Sequence, residues 1–256
     1  MVAEGNLDYA LARVHARHGQ LLDEAAWLRL EANRDLGQYL DSARASPLAE
    51  WVASLDPTRD VHAIERTLRT EWRQYVESVA TWHPRECQPW LAWCAWLPFL
   101  SLLARLSRPE PAPAWLLADP VCGPVAPGNP AERAAALQGT PLAPLEPAIL
   151  GRVPMSSAWL AHWLTLAARS DVQTQQLVSR LLQTINTHAE RLLSNAADTP
   201  TLRRRLADQL TRLFRASDGT AVATLCHLGL LALDLERLRG GLVRRSVFAA
   251  RVQQAA

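Results

Sequence analysis

Between Asp56 and Trp82 the apolar residues Val61, Ile64, Leu68, Trp72, Tyr75 and Val79 recur at steps of three and four. Arg59, Glu65, Arg66, Arg69 and Glu77 fall mostly on other faces. This period predicts an amphipathic α-helix, and Asp56-Pro57 offers a cap followed by proline at the first helical position. The same signals occur upstream. Asn6 is placed to cap a helix to about His18, with Leu7, Ala10, Leu11 and Val14 on one face. Asp23 is placed to cap a second, with Ala26, Trp27 and Leu30 inward. Asp35 is placed to cap a third through Leu36, Tyr39 and Leu40, and Pro47 suits the first turn of a fourth.

The pattern returns near the C-terminus. Ser156 or Ser157 starts a helix holding Trp159, Leu160, Trp163, Leu164 and Ala167. Ser170 or Asp171 caps a long one to about Ser194, with Val178, Leu181, Leu182, Ile185, Ala189 and Leu192 as its inward stripe. Thr199-Pro200 opens another, with Leu202, Leu206, Leu210 and Leu213 inward. Val222 to Leu238 begins apolar on nearly every face and reads as a central helix. Gly240-Gly241 is expected to break it, leaving a short final helix from Leu242 to Val252.

Two stretches depart from this rhythm. Residues 90–104, WLAWCAWLPFLSLLA, carry no charge. A membrane span needs about 20 apolar residues, so the run is short for one, and Pro98 would kink it. It reads as a kinked core helix or a buried helix pair. Alternatively Trp90, Trp93 and Trp96, spaced by three, form an aromatic stripe that meets a membrane protein or lipid headgroups. Residues 107–154 are rich in Pro and Ala and predict irregular structure with at most one short helix, Ala131 to Leu137. The expectation is an all-α fold. It comprises an N-terminal helical lobe over 1–106, a Pro-rich connecting segment over 107–154 and a C-terminal helical lobe over 155–256.

Composition narrows the function classes. Apolar residues make up 49% and charged residues 20%, which describes a folded chain and not a disordered one. All 27 basic residues are arginine, so a phosphate-binding loop built on lysine is excluded. Arg203-Arg204-Arg205 and Arg244-Arg245 are the densest basic runs, but Asp208 and Glu236 interleave and the net charge is only +2. A nucleic-acid partner is therefore not expected, and arginines contacting helix C-termini fit better. Cys87, Cys94, Cys122 and Cys226 form no disulfide framework, which suits a reduced, cytoplasmic protein. His83, Cys87 and Cys94 lack the second ligand pair of a structural zinc site, and Cys226-His227 are neighbours that point to different helix faces. No catalytic, cofactor or metal site is expected.

The two ends of the chain resemble a known family. Tyr9-Ala10-x-Ala12-Arg13-Val14-x-Ala16-Arg17, then Leu21-Leu22, Trp27, Leu30, Leu36, Tyr39-Leu40 and Ser46-Pro47-Leu48, resemble the opening of the C (or d) subunit of V-type and archaeal-type rotary ATPases. Ile64-Glu65-Arg66 and Trp72-Arg73-x-Tyr75 are in keeping. Asp234-Leu235-Glu236-Arg237-Leu238-Arg239 occupies the place of a late E-I-R-N-L-R-like stretch; Leu238 and Arg239 match, the acid is shortened and Arg237 stands for the usual Asn. The family's earlier copy of that motif has no counterpart between Cys87 and Leu106, and the chain is short for the family. The resemblance implies a non-enzymatic helical subunit linking the central rotor shaft to the membrane proteolipid ring. It would lie in the cytoplasm, peripheral to the inner membrane and held there through protein partners. Arg13, Arg17 and Arg239 are then candidates for bracing or binding. A helical adaptor of another complex is the alternative, and a third is an enzyme whose pocket is lined by Trp90, Trp93, Trp96 and Trp115.

Overall fold

Side chains that accept backbone N–H groups set most of the helix starts. The computed structural model describes the backbone of residues 6–168, 170–194 and 198–255, with side chains as far as Phe248. Asn6 caps α1 (Leu7–His18), Asp23 caps α2 (Glu24–Glu31) and Asp35 caps α3 (Leu36–Arg44), each through its carboxyl or amide oxygen. The short α4 (Ala49–Val52) follows Pro47 after a turn in which the Ser46 hydroxyl accepts from the Leu48 N–H. The long α5 (Val61–Trp82) starts later than Asp56-Pro57 suggests. Asp56 instead accepts from Thr58 and Arg59 in a tight turn, and Asp60 takes the cap by accepting from the Ala63 N–H at 2.7 Å.

The uncharged run forms α6 (Gln88–Trp93), a 3₁₀ turn Cys94–Phe99 holding Pro98, α7 (Leu100–Leu103) and a second 3₁₀ turn Ala104–Ser107. Helix-type backbone thus continues for 20 residues, Gln88–Ser107. By length and composition alone this is enough to cross a membrane, and 56% of the window is buried inside the protein. The tighter turns around Pro98 are those of a kinked core segment.

Contacts divide the chain into two compact units, one gathering Met1–Leu91 with Ser170–Ala256, the other Ala92–Arg169. This division differs from the three segments that composition marks out. Most of each terminal lobe, 1–91 and 170–256, shares one unit, while 92–106 and 155–169 join the Pro-rich segment in the other.

The second unit contains more helix than the prolines suggest: α8 (Ala114–Leu117), α9 (Pro130–Leu137), α10 (Glu146–Ile149) and α11 (Met155–Ala167), with 3₁₀ turns between. Several prolines sit at first turns, where no N–H is needed. Asn129 and Glu132 close a capping box on α9, and Gly128 before it takes a positive φ of 81°. Arg133 holds this unit together. It is 1% exposed and donates to the carbonyls of Ala126 (2.9 Å), Leu106 (3.0 Å), Arg108 (2.7 Å) and Glu110 (3.0 Å). Trp93 and Trp159 donate their indole N–H groups to each other's backbone carbonyls.

The first unit is completed by α12 (Val172–Ser194), α13 (Thr199–Ala216) and α14 (Val222–Ala255). Asp171 caps α12. Burial on α12 stops at Leu181; Ile185 is 42% exposed and Leu193 89%. The expected inward stripe is therefore only half used. On α13 Phe214 is buried where Leu213 was expected, one residue round the helix. Gly240-Gly241 does not break α14, which runs on to Ala255. A β-carbon on Gly241 would lie 2.3 Å from Tyr39 Oη, so this glycine admits the buried tyrosine of α3, whereas Gly240 faces open space. Among the described residues there is no strand.

Candidate functional site

All polar members of the stretch Asp234–Arg239 are committed to neighbouring helices. Asp234 accepts from Trp27 Nε1 at 3.1 Å. Arg237 donates to both carboxylates of α2, Glu24 (2.7 Å) and Glu31 (2.7 Å), while its guanidinium lies over the Trp27 ring. Glu236 accepts from Arg203 of α13, and Glu65 of α5 accepts from Arg239. Leu235 and Leu238 are buried between them. One helical turn and a half of α14 therefore fastens α2, α5 and α13 together. A few residues on, Arg245 is 5% exposed and donates to the carbonyls of Glu31 and Asn33 at the end of α2. This is the arginine at a helix C-terminus that the basic runs suggested.

Arg13 and Arg17 come together on α1, along a groove bounded by Glu50, Trp51, Tyr75 and Trp82. Arg13 stacks on Trp82 at 3.9 Å and donates to Tyr9 Oη at 3.0 Å. Arg17 donates to the Glu50 carboxylate at 3.3 Å. Arg239 lies elsewhere, on Glu65. Trp90, Trp93 and Trp96 are 1%, 5% and 7% exposed. They lie in the protein interior and line neither this groove nor a surface stripe, which is the packing reading of their spacing.

The groove deepens into a cleft that reaches His227 and Asp234 of α14. Tyr75 Oη and His227 Nε2 share a hydrogen bond of 2.8 Å. Burial pushes the Tyr75 phenol up to about 12 and holds the His227 imidazole down to about 3, so both are neutral near pH 7. His227 Nδ1 has no hydrogen-bond partner among the described residues. His18, stacked on Phe214 with ring centroids 4.0 Å apart, is also held below the ordinary histidine range, chiefly by burial. Burial raises Asp234 to about 6. Of these groups only Asp234 is brought near neutrality, and among the described residues no hydrogen bond joins it to His227, so no base is aimed at a nucleophile. None of the four cysteines forms a disulfide; burial raises Cys87 to about 11 and Cys94 and Cys226 to about 12, so these three are not ready thiolates. Among the described residues no three His, Cys, Asp or Glu side chains gather around a common point.

A pH dependence follows. His83, fully buried and bonded to the Thr224 hydroxyl at 2.9 Å, is held down to about 4, also by burial. Unfolding frees both His83 and His227 to take up protons at their ordinary pKa of 6.5. Stability is therefore complete above that value and is lost as pH falls from 6.5 toward 4, by up to roughly 3 kcal/mol per histidine. Asp234 acts in the opposite sense: raised in the folded state, it regains some stability as pH falls through 6 toward 3.8. Urea midpoints measured from pH 7.5 to 4 are expected to fall, and the slope should flatten in a His83→Gln/His227→Gln chain. A slope unchanged in that variant would assign the loss to other groups.

The Arg237 clamp and the Arg133 keystone escaped sequence reading, though both left a trace. Glu24 and Glu31 stand two turns apart with Trp27 between them, a face of α2 that offers two carboxylates and a ring to one guanidinium. Arg133 sits on the same face as Leu137 in an otherwise alanine-rich helix, hence on the buried stripe.

Compared with known protein families, characterised proteins and solved structures, the chain matches none.

Proposed function

We propose that this chain is a non-enzymatic coupling subunit of a V-type rotary ATPase, a helical socket between the central rotor shaft and the proteolipid ring. One observation carries the reading. The two stretches that bear the family resemblance, far apart in sequence, meet in one unit, with Trp27 on Asp234, Glu24 and Glu31 on Arg237, and Tyr39 against Gly241. A motif shared with a family is best explained when its separated halves build one structural element. In this role Arg237 and Arg239 brace α14 against α2 and α5, so that torque entering one helix is passed to the others. Arg13 and Arg17, on the groove of α1, are the residues left to meet a partner. Membrane association comes through the partner proteins.

The test is co-purification of the tagged full chain with shaft subunits and proteolipid ring from the same cells. Recovery of both is the expected result, and neighbouring genes for rotor, catalytic head and proteolipid would accompany it. A folded chain that recovers neither shaft nor ring refutes coupling and leaves the helical adaptor of another complex as the reading.

A further inference from the structure

A groove of about 450 Å³ runs between α12 and α13, in the size range of small-molecule sites. Arg180 projects into it from one helix and Arg212 from the other, with Gln183, Thr187 and Gln209 alongside. Neither arginine makes an ion pair or a side-chain hydrogen bond among the described residues. Gln183, Thr187 and Gln209 also make no side-chain bond there. No carboxylate lines the groove. Elsewhere on the same α13, Arg203 pairs with Glu236, so acceptors are in reach of this helix but not of this face. Across α12 and α13 arginines clearly outnumber the two acids, Glu190 and Asp208, although the whole chain carries only +2.

Guanidiniums from both helices of one groove, with unspent amide and hydroxyl donors and no carboxylate in the lining, form a site for an anion that accepts on several sides. A phosphate group does this: it takes a bidentate contact from one guanidinium and leaves oxygens for the opposite wall. A carboxylate can bridge two donors, but its two oxygens lie in one plane and offer fewer acceptor directions than a tetrahedral phosphate. We infer that the α12–α13 groove binds a phosphate-bearing anion, either a soluble polyphosphate compound or a phospholipid headgroup. The site is independent of the coupling role. Ile185 and Leu193, exposed on the same helix, are apolar contacts available to a lipid and not needed by a soluble anion.

The experiment uses the full chain with two phosphate probes. Tripolyphosphate is titrated by calorimetry, and vesicles of phosphatidylcholine with and without phosphatidylglycerol are tested by co-sedimentation. Binding of tripolyphosphate assigns a soluble anion; binding only to the phosphatidylglycerol vesicles assigns a headgroup. In either case Arg180→Gln/Arg212→Gln should weaken binding by about tenfold per arginine, the value of a charge-assisted hydrogen bond. Arg29→Gln, on α2, should leave it unchanged. Both groove arginines are exposed and make no ion pair among the described residues, so the double variant should keep its circular dichroism and melting temperature. No binding of either probe overturns the proposal, as does binding that the double variant retains. Equal or tighter binding of a poly-glutamate peptide also overturns it, in favour of an acidic polypeptide partner.

Discussion

Replacing Arg133 with methionine should cost about 3–5 kcal/mol and loosen the unit Ala92–Arg169, because four backbone carbonyls lose their common donor. The carbonyls of Ala126 and Leu106 are reached by buried bonds, so water cannot replace the guanidinium there without opening the fold. Methionine keeps the volume and the apolar stem, so the loss reports the polar contacts and not a cavity. Lysine should rescue little: one ammonium cannot present the planar fork that reaches carbonyls at Leu106, Arg108, Glu110 and Ala126 together. Arg108→Met removes an equal charge from an exposed side chain and should change stability by less than about 0.5 kcal/mol. Trp93, Trp96, Trp115, Trp159 and Trp163 lie in this unit, so tryptophan emission during urea unfolding senses its loss, together with that of the five tryptophans of the other unit. An Arg133→Met midpoint equal to that of Arg108→Met would show that the carbonyls need no donor.

The second large effect separates two adjacent glycines. Gly241→Ala should destabilise by about 2–4 kcal/mol, since the added carbon would sit 2.3 Å from Tyr39 Oη and 2.6 Å from its Cζ. Tyr39 is fully buried and has the Arg245 guanidinium 3.9 Å from its ring, so it cannot swing away cheaply. Gly240→Ala meets nothing within 4 Å and should stabilise by about 0.5–1 kcal/mol, because alanine loses less backbone entropy in a helix. Opposite signs at neighbouring positions cannot arise from helix propensity alone. Tyr39→Phe removes the nearer atom and should recover part of the Gly241→Ala loss while leaving the Cζ contact. Thermal melts of the four chains decide the matter; a stabilised Gly241→Ala chain would mean that α14 and α3 do not approach as described.

How far the fold could be read in advance depended on the range of the forces involved. Asn6, Asp23 and Asp35 cap the helices they were expected to cap, and Asp171, one of two candidates, caps α12, because a capping bond joins residues two or three positions apart. Asp56 misleads because two aspartates four residues apart both suit the role. Thr58 and Arg59 engage the first, leaving Asp60 to start α5. The prolines of 107–154 suggest irregular chain, yet several occupy first turns, where proline is tolerated, and Arg133 ties their segment down. In the candidate site, the helix faces carrying Arg13 and Arg17 were legible. The cleft behind them was not, since Tyr75 and His227 are 152 residues apart in the chain.

Apolar period and local capping chemistry were enough to establish an all-α chain with most of its helix starts, because both act within one or two turns. Tertiary packing decided the rest. It joins 1–91 with 170–256 in one unit, carries α14 through two glycines and buries Trp90, Trp93 and Trp96. It also shifts His227 and Asp234 away from their ordinary pKa values. Each of these depends on which distant helix supplies the neighbouring atom, the close-approaching ring or the low-dielectric wall, and no local pattern encodes that choice.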